Sequence, residues 1–582
     1  MTATDTHTES HATEHVVASS TANDGLFQLV ASNDHKMVGR LWILASLLFL
    51  VGLSILGVIN DVERADAGSF DIWGSATRFF QSWVLFRTGI IFMVVLPLFL
   101  GLATSIVPLQ VGSASIAFPR LAGAAFWTWL FASIAHIISF LADGGLGAVG
   151  EVTVRADTTQ LTITSLGAMI IALLAASMCI ATTVIALRPT GMTLVRVPMF
   201  SWSMLVATSV WLLSLPVLIA NLIFSWVDLS GFSAGDAVDA AGQPINQGEE
   251  ALRGAIEFGL LNTDLWERLE WAWSQPQIYA YAIPVLGILG EIVPVKANHR
   301  QANRGVMMTL IGLFGMLSFG AWAQSFWSKG ADPAFQDPRI AEADQGNFIY
   351  EEPLYFLFAF AIVVPLFLAI GGVLDTIRRG SNPKPDAALG GAIMGALLLL
   401  GATIVGEIRV WPWGWNVLHD NNDLLSSITA QVGLVVAASL VSAVAGLVYW
   451  APKLFGGYGG NGPGMGAVMA LAGSGALIGL GNLVAAFDGA LDTGLVNTGG
   501  SLSGTMIWLS AAGSALLLFA AASMFGAVVP ALASDELMPD DPWEGHTLEW
   551  ATPSPPPVGN FVEPVTVVRS AEPLVDEFEE VG

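Results

Sequence analysis

The chain has 582 residues, 54% of them hydrophobic and only 12% charged. This composition excludes a soluble multidomain protein and a disordered one, and fits a chain that crosses a bilayer many times. With 47 acidic against 22 basic residues the net charge is −25, the wrong sign for a nucleic-acid partner.

Residues 1–30 are rich in Thr, His, Glu, Ala and Ser without periodicity, which predicts a disordered tail. His7, His11 and His15 recur every four residues, the spacing of a short metal-binding tract or of a plain polar tail. No apolar core near the start marks a cleavable signal.

Twelve apolar runs follow, at 41–59, 90–107, 122–141, 161–187, 204–224, 272–295, 306–326, 354–373, 387–405, 428–450, 465–487 and 506–532. Runs of this length predict membrane-crossing helices, because barrel strands are shorter and alternate. The expected fold class is all-α: a polytopic membrane protein with a twelve-helix bundle over 31–535, then an extended proline-rich, acidic tail over 536–582. Lys and Arg are somewhat more numerous on the segments that a cytoplasmic N-terminus would place inside. Both termini are therefore expected on the cytoplasmic side. The outer segments 228–270 and 332–352 are acidic, suiting either a solvated face or a basic partner.

The single cysteine, Cys179, lies in the fourth run, so no disulfide forms within the chain and no cysteine cluster holds a metal. In the third run His136 (FASIAHIISF) is the only His deep within any span. It is the one candidate for a cofactor ligand, set against a His bonded to a neighbouring helix. The sixth run opens WAWSQPQIY (271–279), a polar knot of Ser274, Gln275, Gln277 and Tyr279. Gln275 and Tyr279 share a helix face, and polar groups at membrane depth need partners or a cavity. The seventh run ends GAWAQSF (320–326), and the tenth opens SITAQVG (427–433), with Gln431 its only long polar side chain. The glycine-rich stretch 456–466 has neither the strand nor the phosphate cradle of a nucleotide site and reads as a loop.

Several of these stretches resemble, in order, subunit I of the haem-copper oxidases, the cytochrome c oxidase family. NDHKMVG (33–39) resembles its Asn-His-Lys-Asp-Ile-Gly opening, and PLQVGSASIAFPRLAGAAFW (108–127) its loop after span two. WAWSQPQIY resembles its Trp-x-x-x-x-His-Pro-Glu-Val-Tyr, GAWAQSF its Trp-Ala-His-His-Met-Phe, and DDPWEGHTLEWATPSPPPVGNF (540–561) its bacterial tail. The resemblance covers about residues 31–561 and implies twelve helices in three arcs. It also implies two haems and a copper, held by His residues of spans two, six, seven and ten, and two proton channels.

The positions that carry this chemistry in the family are changed here. No His lies between His35 and His136, so the span-two haem ligand, aligned with 85–88, falls on a residue such as Thr88. Ser115 stands for the Asp of the D channel, with Ala122 and Gly123 for its Asn pair. Gln275 replaces the copper-binding His and Gln277 the proton-delivering Glu, while Tyr279 is kept. Gln324 and Ser325 replace the other copper His pair, Ala369 falls where the K-channel Lys is sought, and Gln431 is what span ten offers for His-x-His. The chain has eight His, and of these only His136 is deep in a span. The expectation is therefore no catalytic residue, no metal ligand and no cofactor. Gln275, Gln277, Gln324, Ser325, Gln431 and the Tyr279 hydroxyl are instead expected to hydrogen-bond to one another.

The resemblance implies a multi-pass protein of a bacterial-type plasma membrane, serving aerobic respiration and electron transport. Three functions compete. One is a non-catalytic structural or assembly component, a pseudoenzyme partnered by subunits of the II or III type or by a catalytic paralogue. The second is a working terminal oxidase that oxidises cytochrome c, reduces oxygen and pumps protons. The third is a haem-free transporter or channel.

Overall fold

The computed structural model describes residues 32, 34–66, 69–142, 145, 156–233, 278–318, 353–381, 383–410, 427–458, 460–490, 501–533 and 537–576. Among these residues the secondary structure is helical apart from one isolated bridge between Thr190 and Val567. The principal helices are α1 (His35–Ala65), α2 (Arg78–Gln110), α3 (Pro119–Leu141), α4 (Ala156–Ala186), α5 (Met199–Ser233), α6 (Ile283–Lys296), α7 (Arg304–Leu317), α8 (Leu357–Arg379), α9 (Ala387–Val410), α10 (Ser427–Tyr449), α11 (Asn461–Phe487) and α12 (Ser501–Ala533). Ten helices of the described residues are long and apolar enough to cross a membrane. The sixth and seventh expected spans are described only as the shorter α6 and α7, so the count of twelve spans rests on the sequence for those two.

Every fourth helix is an inner one. The most apolar stretch of α2 is 100% buried and that of α10 is 94% buried, against 33% in α12. All residues of α6 but the last are buried. A helix apolar all round belongs inside the bundle, and one apolar on the outside meets lipid. α6 packs on α5, α8, α9 and α10, while α10 packs on α9 and α11 and α1 on α2 and α12.

Two of the inner helices are irregular where the sequence demands it. α2 widens into a π-turn at Ile90–Val95 just before Pro97. Proline lacks the N–H of the regular ladder and its ring crowds the carbonyl four residues back, so a wider turn relieves the clash. The freed carbonyl of Phe92 accepts from Trp129 Nε1 of α3 at 2.9 Å. α6 is entered through a 3-10 turn at Ala280–Ala282, and Trp211 Nε1 caps the Ala280 carbonyl at 3.0 Å.

Two charge placements differ from expectation. Charged side chains ordinarily face water, yet Arg64 and Arg87 are within α1 and α2 and only 2% and 3% exposed. Arg64 donates to Asn482 Oδ1 of α11 at 2.7 Å. His35 and Lys36, read as hydrated boundary groups, are 1% and 6% exposed. Both meet Asn560 Oδ1 of the tail, at 3.0 and 3.1 Å, so a segment more than five hundred positions away displaces the water expected there.

α1 and α2 cross at glycine. A Cβ on Gly39 would lie 2.0 Å from Ser105 Oγ and 2.6 Å from the Gly101 carbonyl, whereas one on Gly52 would meet nothing within 4 Å. Small residues let helix backbones approach in a bilayer, where close packing replaces the hydrophobic drive. Gly39→Ala should therefore destabilise the bundle by about 1–3 kcal/mol. Gly52→Ala should be neutral or add up to ~1 kcal/mol of helix propensity. Thermal unfolding of both variants in detergent measures the difference, and equal behaviour would refute the crossing.

Candidate functional site

The interior between α2, α6, α9 and α10 is where the altered family positions meet. Thr88 is 1% exposed, and its hydroxyl turns back to donate to its own helix at the Val84 carbonyl, 2.8 Å away. Beside it, Arg87 reaches across to α10 and donates to Thr429 Oγ1, with its guanidinium 4.6 Å above the Trp83 ring. A buried guanidinium is tolerated when it is hydrogen-bonded and stacked on an aromatic face. Two residues further along α10, Gln431 Nε2 donates to the Tyr279 hydroxyl at 2.6 Å, and that hydroxyl donates to the Ala402 carbonyl of α9 at 3.3 Å. Tyr279 is fully buried and its ring meets Phe314 of α7 edge-on. A chain of neutral hydrogen bonds thus ties the entry of α6 to α9 and α10.

The other positions do not join this chain. Ala369 is fully buried in α8. Ser115 is half-buried in the loop after α2, where its carbonyl accepts from Ser113 Oγ at 2.7 Å. Gln275, Gln277, Gln324 and Ser325 lie outside the described residues. His136 is fully buried between α3 and α4, with Nδ1 3.0 Å from Ser165 Oγ and 3.3 Å from the Thr162 carbonyl. Phe140 lies edge-on to its ring at 5.1 Å. Among the described residues no three His, Cys, Asp or Glu side chains group as a metal site.

The tail adds residues that no span-by-span reading could place. Asn560 donates to the Ser113 carbonyl at 2.7 Å while accepting from the α1 start. Trp543 Nε1 donates to the Tyr449 carbonyl at 3.0 Å, and Lys296 Nζ sits 3.5 Å above the Trp543 ring. Lys453 donates to the Thr552 carbonyl. Arg300 pairs with Glu572 and, at 2.5 Å, with Asp576. The signal for this docking was present in the tail's Trp, Asn and Glu, residues a solvated tail has no use for.

A helical membrane bundle with buried second, sixth and tenth helices and a tail folded over one end has the fold of the terminal-oxidase core subunit. A solved structure described as a heme-copper terminal oxidase dimer matches it at a TM-score of 0.60 and 13% identity, covering 87% of this chain and 85% of that one. Residues 37–338 match the family model of Cytochrome C and Quinol oxidase polypeptide I, and the chain belongs to that family. Cytochrome c oxidase subunit 1 of Bacillus subtilis is 27% identical over 94% of this chain and 83% of that protein. A probable cytochrome c oxidase subunit 1 of Bradyrhizobium diazoefficiens is 25% identical over 91% of this chain and 76% of its own length. The chain is thus a multi-pass membrane protein of the cytochrome c oxidase subunit I type.

Family membership corrects one expectation. The sequence reading expected no cofactor. The family model and the oxidases the chain resembles make haem and copper the cofactors that membership implies.

Two predictions follow from the geometry. Gln431→Leu leaves the Tyr279 hydroxyl without its 2.6 Å donor and should destabilise the bundle by ~1–3 kcal/mol, read as a lower thermal midpoint in detergent. The second concerns pH. Burial, then nearby Arg300, push the His546 imidazole from 6.5 down to about 4. Between those values a released tail binds a proton that the docked tail refuses, so docking weakens as pH falls from 6.5 towards 4, by up to about 3 kcal/mol. Burial pushes Glu549 and Glu572 up, so docking also weakens as pH rises through their docked values. Limited proteolysis of the tail against pH should separate the native chain from His546→Gln only below pH 6.5, where protonation of the released imidazole costs the native tail protection.

Proposed function

We propose that the chain works in a respiratory membrane complex as a non-catalytic structural subunit, keeping the frame of the family and lending it to neighbouring oxidase subunits. The observation that supports this is the direct α2–α10 contact of Arg87 with Thr429. By the resemblance, a His on each of these helices would hold a haem between them. Here the two helices are already joined at that level, and Thr88 and Gln431 offer a hydroxyl and an amide, poor ligands for iron. These side chains do not fit the group at those positions, and no reaction step is derived through it. Ser115 and Ala369 give a proton path nothing to titrate, and Gln275, Gln277, Gln324 and Ser325 belong by sequence to the same altered set.

The partners in this reading are subunits of the II or III type or a catalytic paralogue, which carries the family's haem and copper chemistry for the complex. The membrane is the bacterial plasma membrane. The bonds of Asn560 to His35 and Lys36 support both ends of the bundle domain facing one side, the cytoplasmic one.

Deleting the chain from a native host should lower the amount of assembled oxidase several-fold, read on native gels. The chain purified free of partners should consume no oxygen with reduced cytochrome c as donor. Oxygen consumption at an oxidase's rate by the isolated chain would overturn the reading.

A further inference from the structure

The tail end of the bundle holds buried polar groups that the proposed role leaves unused. Glu291 of α6 is 5% exposed and Glu549 of the tail is fully buried. Glu291 accepts through Oε2 from the Phe200 amide at 3.2 Å and through Oε1 from Thr547 Oγ1 at 3.0 Å. Glu549 Oε1 accepts from Gln110 Nε2 at 3.0 Å and from Trp450 Nε1 at 3.2 Å. Ser201 Oγ donates to Gln110 Oε1 at 2.7 Å, which turns the NH2 end of that amide to Glu549. Each of these donors is neutral. Neither carboxylate has a cationic nitrogen within 4.0 Å among the described residues.

A second observation points to a ligand. Glu549 Oε2 lies here buried without a hydrogen-bond partner, beside the Tyr449 hydroxyl and Trp550 Nε1, which face each other. Tyr449 is fully buried, its ring meets Trp550 edge-on at 5.1 Å, and it lies within electrostatic reach of both carboxylates. An open carboxylate oxygen out of water is unfavourable as it stands. Two adjacent carboxylates served by neutral donors alone cannot both stay ionised out of water.

We propose that Glu291 and Glu549 form one proton-binding site, roofed by the tail, in which the pair holds a single proton at neutral pH. Uptake is a plain acid–base step. Hydronium gives its proton to a carboxylate oxygen of the pair, water is released, and the pair loses one negative charge, with nothing oxidised or reduced. Thr547, which bonds Glu291 and also feels Glu549, couples the two.

The surrounding charges bear on this assignment. Burial pushes Glu549 up. Arg304, at the start of α7, reaches Glu291 and Glu572 by charge alone and spends a hydrogen bond of 2.6 Å on the Val197 carbonyl. Lys453 is brought down to about 8 by burial and donates to the Thr552 carbonyl. Asp541 is felt at Tyr449 and Lys453, and His546 resists charging. The site therefore keeps a net negative bias that a proton relieves. The family's own channel residues are not involved.

The test is infrared difference spectroscopy of the full chain in lipid nanodiscs, titrated from acid to alkaline pH, with and without carbonyl-13C glutamate. The expected result is a protonated glutamic acid band at neutral pH that shifts with the label and disappears on alkalinisation. Glu291→Gln or Glu549→Gln should move its midpoint to lower pH, as the remaining carboxyl loses a charged neighbour, by at least tenfold in proton affinity. The double substitution should remove the component that the single substitutions shift, leaving any band of Glu407, whose two carboxylate oxygens are also buried without a partner. Absence of a label-sensitive band in the wild-type chain overturns the proposal without any variant. So does a band whose midpoint ignores both single substitutions, or a double substitution that leaves the band of the wild-type chain unchanged.

Discussion

A polar group at membrane depth has to find its partner inside the protein, because lipid offers none. That constraint orders the interior of this bundle. Arg87 meets Thr429 and the Trp83 face, Gln431 meets Tyr279, and Tyr279 meets the Ala402 carbonyl. Asp61 of α1 accepts from Ser514 of α12 at 2.5 Å, and Asn482 of α11 donates to Ser510 at 2.8 Å. Each contact joins two or more helices, so the satisfied polar group is also the cross-brace. Apolar packing alone would hold the helices near one another without fixing their rotation.

The same constraint explains the tail. The tail-side ends of α1, α2, α6 and α10 expose backbone carbonyls and the side chains of His35, Lys36, Gln110 and Glu291. The tail covers them with Asn560, Glu549, Thr547 and Trp543. Covering removes water and so raises the free energy of any charge left beneath, which is why His546 is depressed and Glu549 is raised. Structural closure and proton affinity are one effect there: the contacts that dock the tail also create the low-dielectric pocket around the carboxyl pair.

Most of the fold was legible because run length is a strong signal. Ten of the expected spans stand as long apolar helices, and family motifs fixed their order. The failures have a common cause. Arg64, Arg87, His35 and Lys36 are residue types that usually go to water. Their burial depends on Asn482, Thr429 and Asn560, partners hundreds of positions away that no local pattern reveals. Gln431 and Tyr279 were picked out as polar groups needing company. The structure brings these two together, while the direct bridge between α2 and α10 is invisible in sequence because no local pattern marks Arg87 and Thr429 as partners.

The contrast between the two ends of the bundle bears on what was kept. In mid-bundle, positions that serve metal chemistry in the family carry amides, hydroxyls and an alanine, all neutral. At the tail end Glu291, Glu549, Glu572, Lys36, Lys453, His35 and His546 remain buried. Burying an ionisable group is unfavourable, and a bundle selected for stability alone would be expected to neutralise both ends alike. Glu549 could be an amide and still accept from Gln110 and Trp450 through one oxygen, whereas Glu291 uses both of its oxygens, one for Phe200 and one for Thr547. What an amide cannot do in that geometry is take up and release a proton. Two carboxyls that share Thr547 and have only neutral donors beneath the tail are the physical reason to place this chain's remaining chemistry there.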